Sequence, residues 1–138
     1  MTRGETAAAL ARVGREVIHR GLTWGTSGNL SARTGETGFV ISAAGARLDE
    51  LDLDRLADCT MDGGHRPDGP RPSLEVEMHR ALYAAVPAAK AIVHTSAPCT
   101  TLLACSRLRV PVEVCTDSLA YVGRVARVPY RHPGSRAL

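Results

Sequence analysis

Aromatic residues are scarce: one Phe, one Trp and three Tyr make up 4% of a 138-residue chain that is 44% apolar. A core drawn from this composition rests on Ala, Val and Leu rather than on large rings. No apolar run reaches the roughly 18 residues of a spanning helix. The opening residues Thr2, Arg3 and Glu5 stand where a signal peptide would be apolar. A cytoplasmic protein without membrane contact is therefore expected. The four cysteines, Cys59, Cys99, Cys105 and Cys115, form no C-x-x-C pair, which excludes zinc-knuckle and thioredoxin-like motifs and leaves buried thiols packing as small hydrophobes. The formal charge of +3 is mild and the arginines are scattered, so no basic stripe forms and nucleic acid is not expected as a partner. There is no internal repeat and no linker, and the length suits a single domain, 1–138.

What is present reads as alternating helices and strands. "TRGETAAALARVGREVIHRG" places Leu10, Val13, Val17 and Ile18 at helical spacing, with Thr2 and Glu5 as a capping box and Gly21 as a stop. "WGTSGNLSAR" breaks regularity with two glycines before a short strand, "RTGETG" has hairpin-turn composition, and "FVIS" returns as a strand. After the acidic turn or short helix "DELDLDRL", "ADCTM" is a further strand and "DGGHRPDGPRP" an exposed loop. A second helix starts near Pro72 and Ser73 and stops by Pro87. Its expected buried stripe is Leu74, Met78, Ala81, Leu82 and Ala85, with Glu77 and Arg80 opposite and Glu75 at the edge, one turn before His79. Strand "AIVHT", helix "PCTTLLACS", and strands "VPVEV" and "GRVARVPY" complete the expected elements.

"GTSGNLSAR", "PSLEVEMHRALYAAVP", "AIVHTSAP" and "VPYRHPGS" occur in an order and spacing that resembles the class II aldolase and adducin family. The resemblance implies an α/β fold, an α/β/α sandwich around a mostly antiparallel sheet, assembled as a homo-oligomer, commonly a tetramer. It also implies a lyase that breaks or forms a carbon–carbon bond next to a carbonyl in a small sugar or sugar-phosphate-like substrate, assisted by a divalent metal such as zinc. Position by position, Glu75 matches the catalytic acid/base and His94 the first metal ligand. Thr26, Asn29, Gly45 and Ser73 match the positions that hold substrate phosphate.

The chain departs from that pattern at four places. Ser96 replaces the second histidine of a His-x-His pair, and a neutral hydroxyl is a weak zinc ligand. Leu74 replaces a second serine, and Ala44 stands where a hydroxyl residue is usual. The family's third metal histidine belongs to a strand beyond "PGSRAL", so the domain is expected to lack the family's C-terminal portion, with neighbouring subunits or further chain in its place. Of the other histidines, His65 and His132 read as solvated; His79 shares a helix face with Glu75 and reads as no ligand, an orienting role behind the site being its less favoured alternative. Taken without the resemblance, His94 reads as a sheet histidine, Glu75 as a first-turn carboxylate favoured by the helix dipole, and "GTSGN" as a tight turn needing glycine. Tyr121 reads either as a residue lent across a subunit boundary or as a core tyrosine. Two functions of different class are compatible with these residues: the lyase, and a non-catalytic, adducin-like oligomerising or binding module.

Overall fold

The computed structural model describes residues 2–106, 108–109 and 111–135. Helix α1 (Arg3–His19) begins at the expected capping box: the Glu5 amide donates to Thr2 Oγ1, and the Thr2 amide to the Glu5 carboxylate at 2.7 Å. Strands β1 (Asn29–Arg33), β2 (Gly38–Ser42), β3 (Leu56–Thr60) and β4 (Ala91–His94) form one sheet in the order β3-β2-β1-β4, every pairing antiparallel. Between them lie α2 (Val76–Ala85) and, after β4, α3 (Pro98–Cys105), which opens on its proline as expected.

Alternation along the strands divides the core into two layers. Leu30, Val40 and Leu56 face α1 and pack with Ala7, Leu10, Ala11 and Val17. Phe39, Ile41, Ala57 and Cys59 face the other way and pack with Tyr83 of α2. Helices thus cover opposite faces of the sheet, the expected α/β/α sandwich. The single Phe and a Tyr supply the only aromatic contact among the described residues, ring centroids 5.4 Å apart.

Helix α2 buries a different face from the expected one. Leu74 and Leu82 are exposed, as are Ala81 and Ala85, whereas His79, Arg80 and Tyr83 are buried. Arg80 tolerates burial because its guanidinium is satisfied: Nε donates to the Thr60 carbonyl at 2.8 Å, a second nitrogen to Gly64, and Glu77 pairs with it. The helix is seated by polar bonds, which a hydropathy stripe does not register.

The last third of the chain departs from its predicted strands. Residues 111–114 form a turn, Ser118–Val122 a short helical turn, and 123–130 is irregular and exposed; Val110 lies outside the described residues. A strand needs a ladder, and neither segment meets a sheet edge among the described residues. Arg127 instead reaches back to cap the carbonyls of Leu103, Ala104, Ser106 and Leu108 at the end of α3. Of the cysteines only Cys59 is buried; Cys99, Cys105 and Cys115 are exposed free thiols, because α3 and the segment C-terminal to it pack against little. Tyr121 is exposed for the same reason, so the core-tyrosine reading fails. His65 and His132 are exposed, as expected. No helix among the described residues is long and apolar enough to cross a membrane.

Candidate active site

Three chain segments converge at one end of the sheet. The turn before β1 is closed by the Ser27 amide donating to the Trp24 carbonyl and by Thr23 Oγ1 donating to the Ser27 carbonyl. Gly25 and Gly28 both have positive φ, and a Cβ on Gly28 would lie 2.7 Å from the His94 carbonyl oxygen. Glycine is therefore required where β1 meets β4, and this close approach sets Asn29 directly opposite His94 in the ladder. The second segment is the entry to α2. The Ser73 amide donates to the Ser42 carbonyl at the end of β2, and the Glu75 amide donates to Ser73 Oγ at 3.3 Å. Glu75 occupies the N-cap position of α2 but makes no side-chain capping bond, so its carboxylate is free to point at the sheet.

That carboxylate meets the third segment. Glu75 Oε2 lies 2.6 Å from His94 Nδ1 and accepts a hydrogen bond from Asn29 Nδ2 at 2.7 Å. The approach of His94 is within ion-pair distance, yet its angle is not that of a hydrogen bond, which leaves Nδ1 buried without a hydrogen-bond partner. Beside them Ser27 Oγ and Ser96 Oγ lie 2.8 Å apart. Ser96 stands beyond the end of β4, so it joins the site through the turn after the strand and not through strand alternation.

A cavity of about 320 Å³ opens over this group, lined by Thr26, Asn29, Gly45, Ser73, Glu75, His94 and Ser96, together with Ser27, Gly28 and Pro133. The residues that the resemblance matched to the site, Thr26, Asn29, Gly45, Ser73, Glu75 and His94, thus border one hollow together with Ser96. A larger groove of about 910 Å³ beside α1, lined by Leu10, Val13, Arg33 and Lys90, contains neither Glu75 nor His94. The smaller hollow is the better candidate because it alone gathers a carboxylate, an imidazole and hydroxyls.

Sequence reasoning took Asn29 for a substrate contact and did not find its bond to Glu75. It also missed Ser27, Ser31 and Tyr83. Behind Asn29, a buried set continues: Asn29 Oδ1 meets His79 Nε2, His79 Nδ1 lies 2.7 Å from Ser31 Oγ, and Ser31 Oγ 2.8 Å from the Tyr83 hydroxyl. A signal existed. Glu75, His79 and Tyr83 recur every four residues on α2, while Asn29, Ser31 and Arg33 recur every two on β1, and the two polar rows face each other. Burial pushes the His79 pKa down to about 4, with the neighbouring His94 adding to the shift and Glu75 opposing it.

The donors fall short of a zinc site. His94 supplies one imidazole and Glu75 one carboxylate, while Ser96 and Ser27 offer neutral hydroxyls. A catalytic zinc takes three protein ligands. Among the described residues no three His, Cys, Asp or Glu side chains converge. The described residues alone therefore do not fit the metal that the resemblance implied.

Residues 8–138 match the family described as the class II aldolase and adducin N-terminal domain. The chain is 33% identical over 130 residues to a 3-oxo-tetronate 4-phosphate decarboxylase of Haemophilus influenzae, covering 91% of this chain and 61% of that protein. It is 38% identical over 100 residues to a methylthioribulose-1-phosphate dehydratase of Methylococcus capsulatus, covering 70% of this chain and 47% of that one. Among solved structures, YgbL from Klebsiella pneumoniae superposes with a TM-score of 0.85 at 34% identity, covering 98% of this chain and 67% of that chain. The chain spans about three-fifths of the length of the decarboxylases it matches.

Proposed function

The chain belongs to the class II aldolase and adducin family, and from that premise we propose a lyase that breaks or forms a carbon–carbon bond beside a carbonyl in a small sugar-phosphate-like substrate. The observation that carries the reading is the meeting of Glu75 and His94, 2.6 Å apart on different elements, at a hollow lined with hydroxyls. Aldol cleavage and loss of CO₂ from a 3-oxo acid share one step. The breaking bond leaves its electron pair on the carbon next to the carbonyl, and the resulting enediolate takes a proton there. In this reading Glu75 moves that proton. Both neighbours described for its carboxylate, Asn29 and His94, sit on Oε2, so Oε1 is the oxygen offered to substrate. Thr26, Asn29, Ser73 and the turn at Gly45 hold the anionic end of the substrate, where hydroxyl, amide and backbone donors suit a phosphate.

Zinc is the finer part of the proposal: among the described residues His94 would be its one imidazole ligand. A homo-oligomer, by family resemblance a tetramer, is proposed on the same footing. Cytoplasmic location is supported by the exposed free thiols, which an oxidising compartment would not favour.

The test is CO₂ release from 3-oxo-tetronate 4-phosphate, the substrate in the decarboxylase relatives' names, with and without a chelator and added Zn²⁺. Turnover is expected, with Glu75→Gln lowering it by roughly 10²- to 10⁴-fold at unchanged circular dichroism. A fully active Glu75→Gln variant would remove Glu75 from its role. Absence of both CO₂ release and aldol cleavage would favour the second reading, a non-catalytic oligomerising or binding module, for which Ser96 at a ligand position is the specific support.

A further inference from the structure

We propose that His79, held as its Nε2–H tautomer, is a positioning residue that fixes the Asn29 amide as a hydrogen-bond donor to Glu75. The inference rests on the reading of Glu75 just given and concerns how that carboxylate is held.

The direction of every bond in the buried set is dictated by the chemistry of its ends. Glu75 Oε2 is 2.7 Å from one terminal atom of the Asn29 amide, and an ionised carboxylate only accepts, so that atom is the NH₂ group. The amide carbonyl therefore faces His79 Nε2. A carbonyl only accepts, so Nε2 carries the hydrogen. A neutral imidazole has one N–H, which makes Nδ1 an acceptor, and Ser31 Oγ at 2.7 Å must donate to it. The Ser31 hydroxyl has then spent its hydrogen, so the Tyr83 hydroxyl at 2.8 Å donates to it. The run reads Tyr83 to Ser31 to His79 to Asn29 to Glu75, with no link reversed.

Flipping the Asn29 amide would set its carbonyl against the carboxylate and its NH₂ against an N–H. Reversal would require His79 to change tautomer and both hydroxyls to turn together. His79, Ser31 and Tyr83 are fully buried and Asn29 nearly so, so water does not compete for these bonds. An amide does not readily pass a proton along, which makes the set a support for Glu75 rather than a proton route through it.

The test uses ¹⁵N-labelled protein in solution. Ring ¹⁵N–¹H correlations of His79 are expected to show the Nε2–H tautomer between about pH 6 and 8, and the Asn29 side-chain amide protons to exchange slowly. His79→Gln, which can still donate to Asn29 and accept from Ser31, should keep slow exchange and most turnover. His79→Leu should speed exchange and lower kcat by roughly ten- to a hundredfold with little change in KM. Ser31→Ala removes the donor to Nδ1 but leaves the Asn29 carbonyl facing Nε2, so it should keep the Nε2–H tautomer, and it serves if His79→Leu does not fold. An Nδ1–H tautomer in the native protein overturns the proposal, as does His79→Gln behaving no better than His79→Leu, or Ser31→Ala switching to the Nδ1–H tautomer. A protein without any turnover would sink the lyase reading while the tautomer and amide signals still decide this one.

Discussion

At the scale of single residues, the Glu75 carboxylate is held by a group that is itself held: Asn29 donates to Oε2, and His79 meets the Asn29 carbonyl from behind. Glu75 and His94 could be singled out because the resemblance matched them to the acid/base and the first metal ligand; by themselves they read as a first-turn carboxylate and a sheet histidine. Asn29 was assigned to substrate, and its bond to Glu75 escaped because an amide can serve either partner. For His79 a place behind the site was the less favoured reading, yet it lies behind Asn29, buried and hydrogen-bonded on both ring nitrogens. Its burial has a consequence for stability. The folded state holds His79 neutral down to about pH 4, whereas the unfolded chain protonates it near pH 6.5. Between those values the unfolded state binds more protons, so folding stability is full above about pH 6.5 and falls as pH drops toward 4. The shift corresponds to at most about 3 kcal/mol. Urea denaturation across this window should show that loss, and His79→Gln should flatten it; an equally steep profile in the variant would assign the loss to other groups.

At the scale of elements, α1 and the first three strands were readable because their apolar periodicity coincides with what they bury. Helix α2 was not, because it buries His79, Arg80 and Tyr83, with Glu75 half-buried at its N-cap, while Leu82 faces outward. A hydropathy stripe assumes that burial is apolar; here a polar row on the helix meets a polar row on β1. The strands assigned to "VPVEV" and "GRVARVPY" have strand composition but no ladder partner, and composition alone does not make a sheet. Packing between elements can also reverse an intrinsic preference, and α1 offers a test within one helix. Gly4 has open space around it, so Gly4→Ala should stabilise by a few tenths to about 1 kcal/mol. A Cβ on Gly14 would sit 1.9 Å from the Leu48 carbonyl oxygen. Gly14→Ala should therefore destabilise by roughly 1–3 kcal/mol despite alanine's better helix propensity. Thermal melts of the two variants check the opposite signs, and two increases in Tm would mean that α1 and Leu48 are not so closely packed.

At the scale of the whole molecule, the chain presents apolar surface that its own described residues do not cover. Val93 on the edge strand β4, Leu102 on α3, and Val128 and Tyr130 beyond it are all more than half exposed. An open strand edge beside such a surface favours association. Sedimentation velocity at micromolar concentration should give a multiple of 14.6 kDa, with Leu102→Glu shifting it toward the monomer; a monomeric native protein would remove the proposed oligomer. Whatever the assembly, the decisive property is that Glu75 and His94 meet at one hollow. The most direct test is proton exchange at the carbon next to the carbonyl of dihydroxyacetone phosphate, the product that loss of CO₂ from 3-oxo-tetronate 4-phosphate would leave, monitored by NMR in D₂O. Deuterium should enter with the native protein and not with Glu75→Gln. Exchange at the native rate in Glu75→Gln, or none with the native protein, would contradict the assignment of Glu75 as the group that moves the proton.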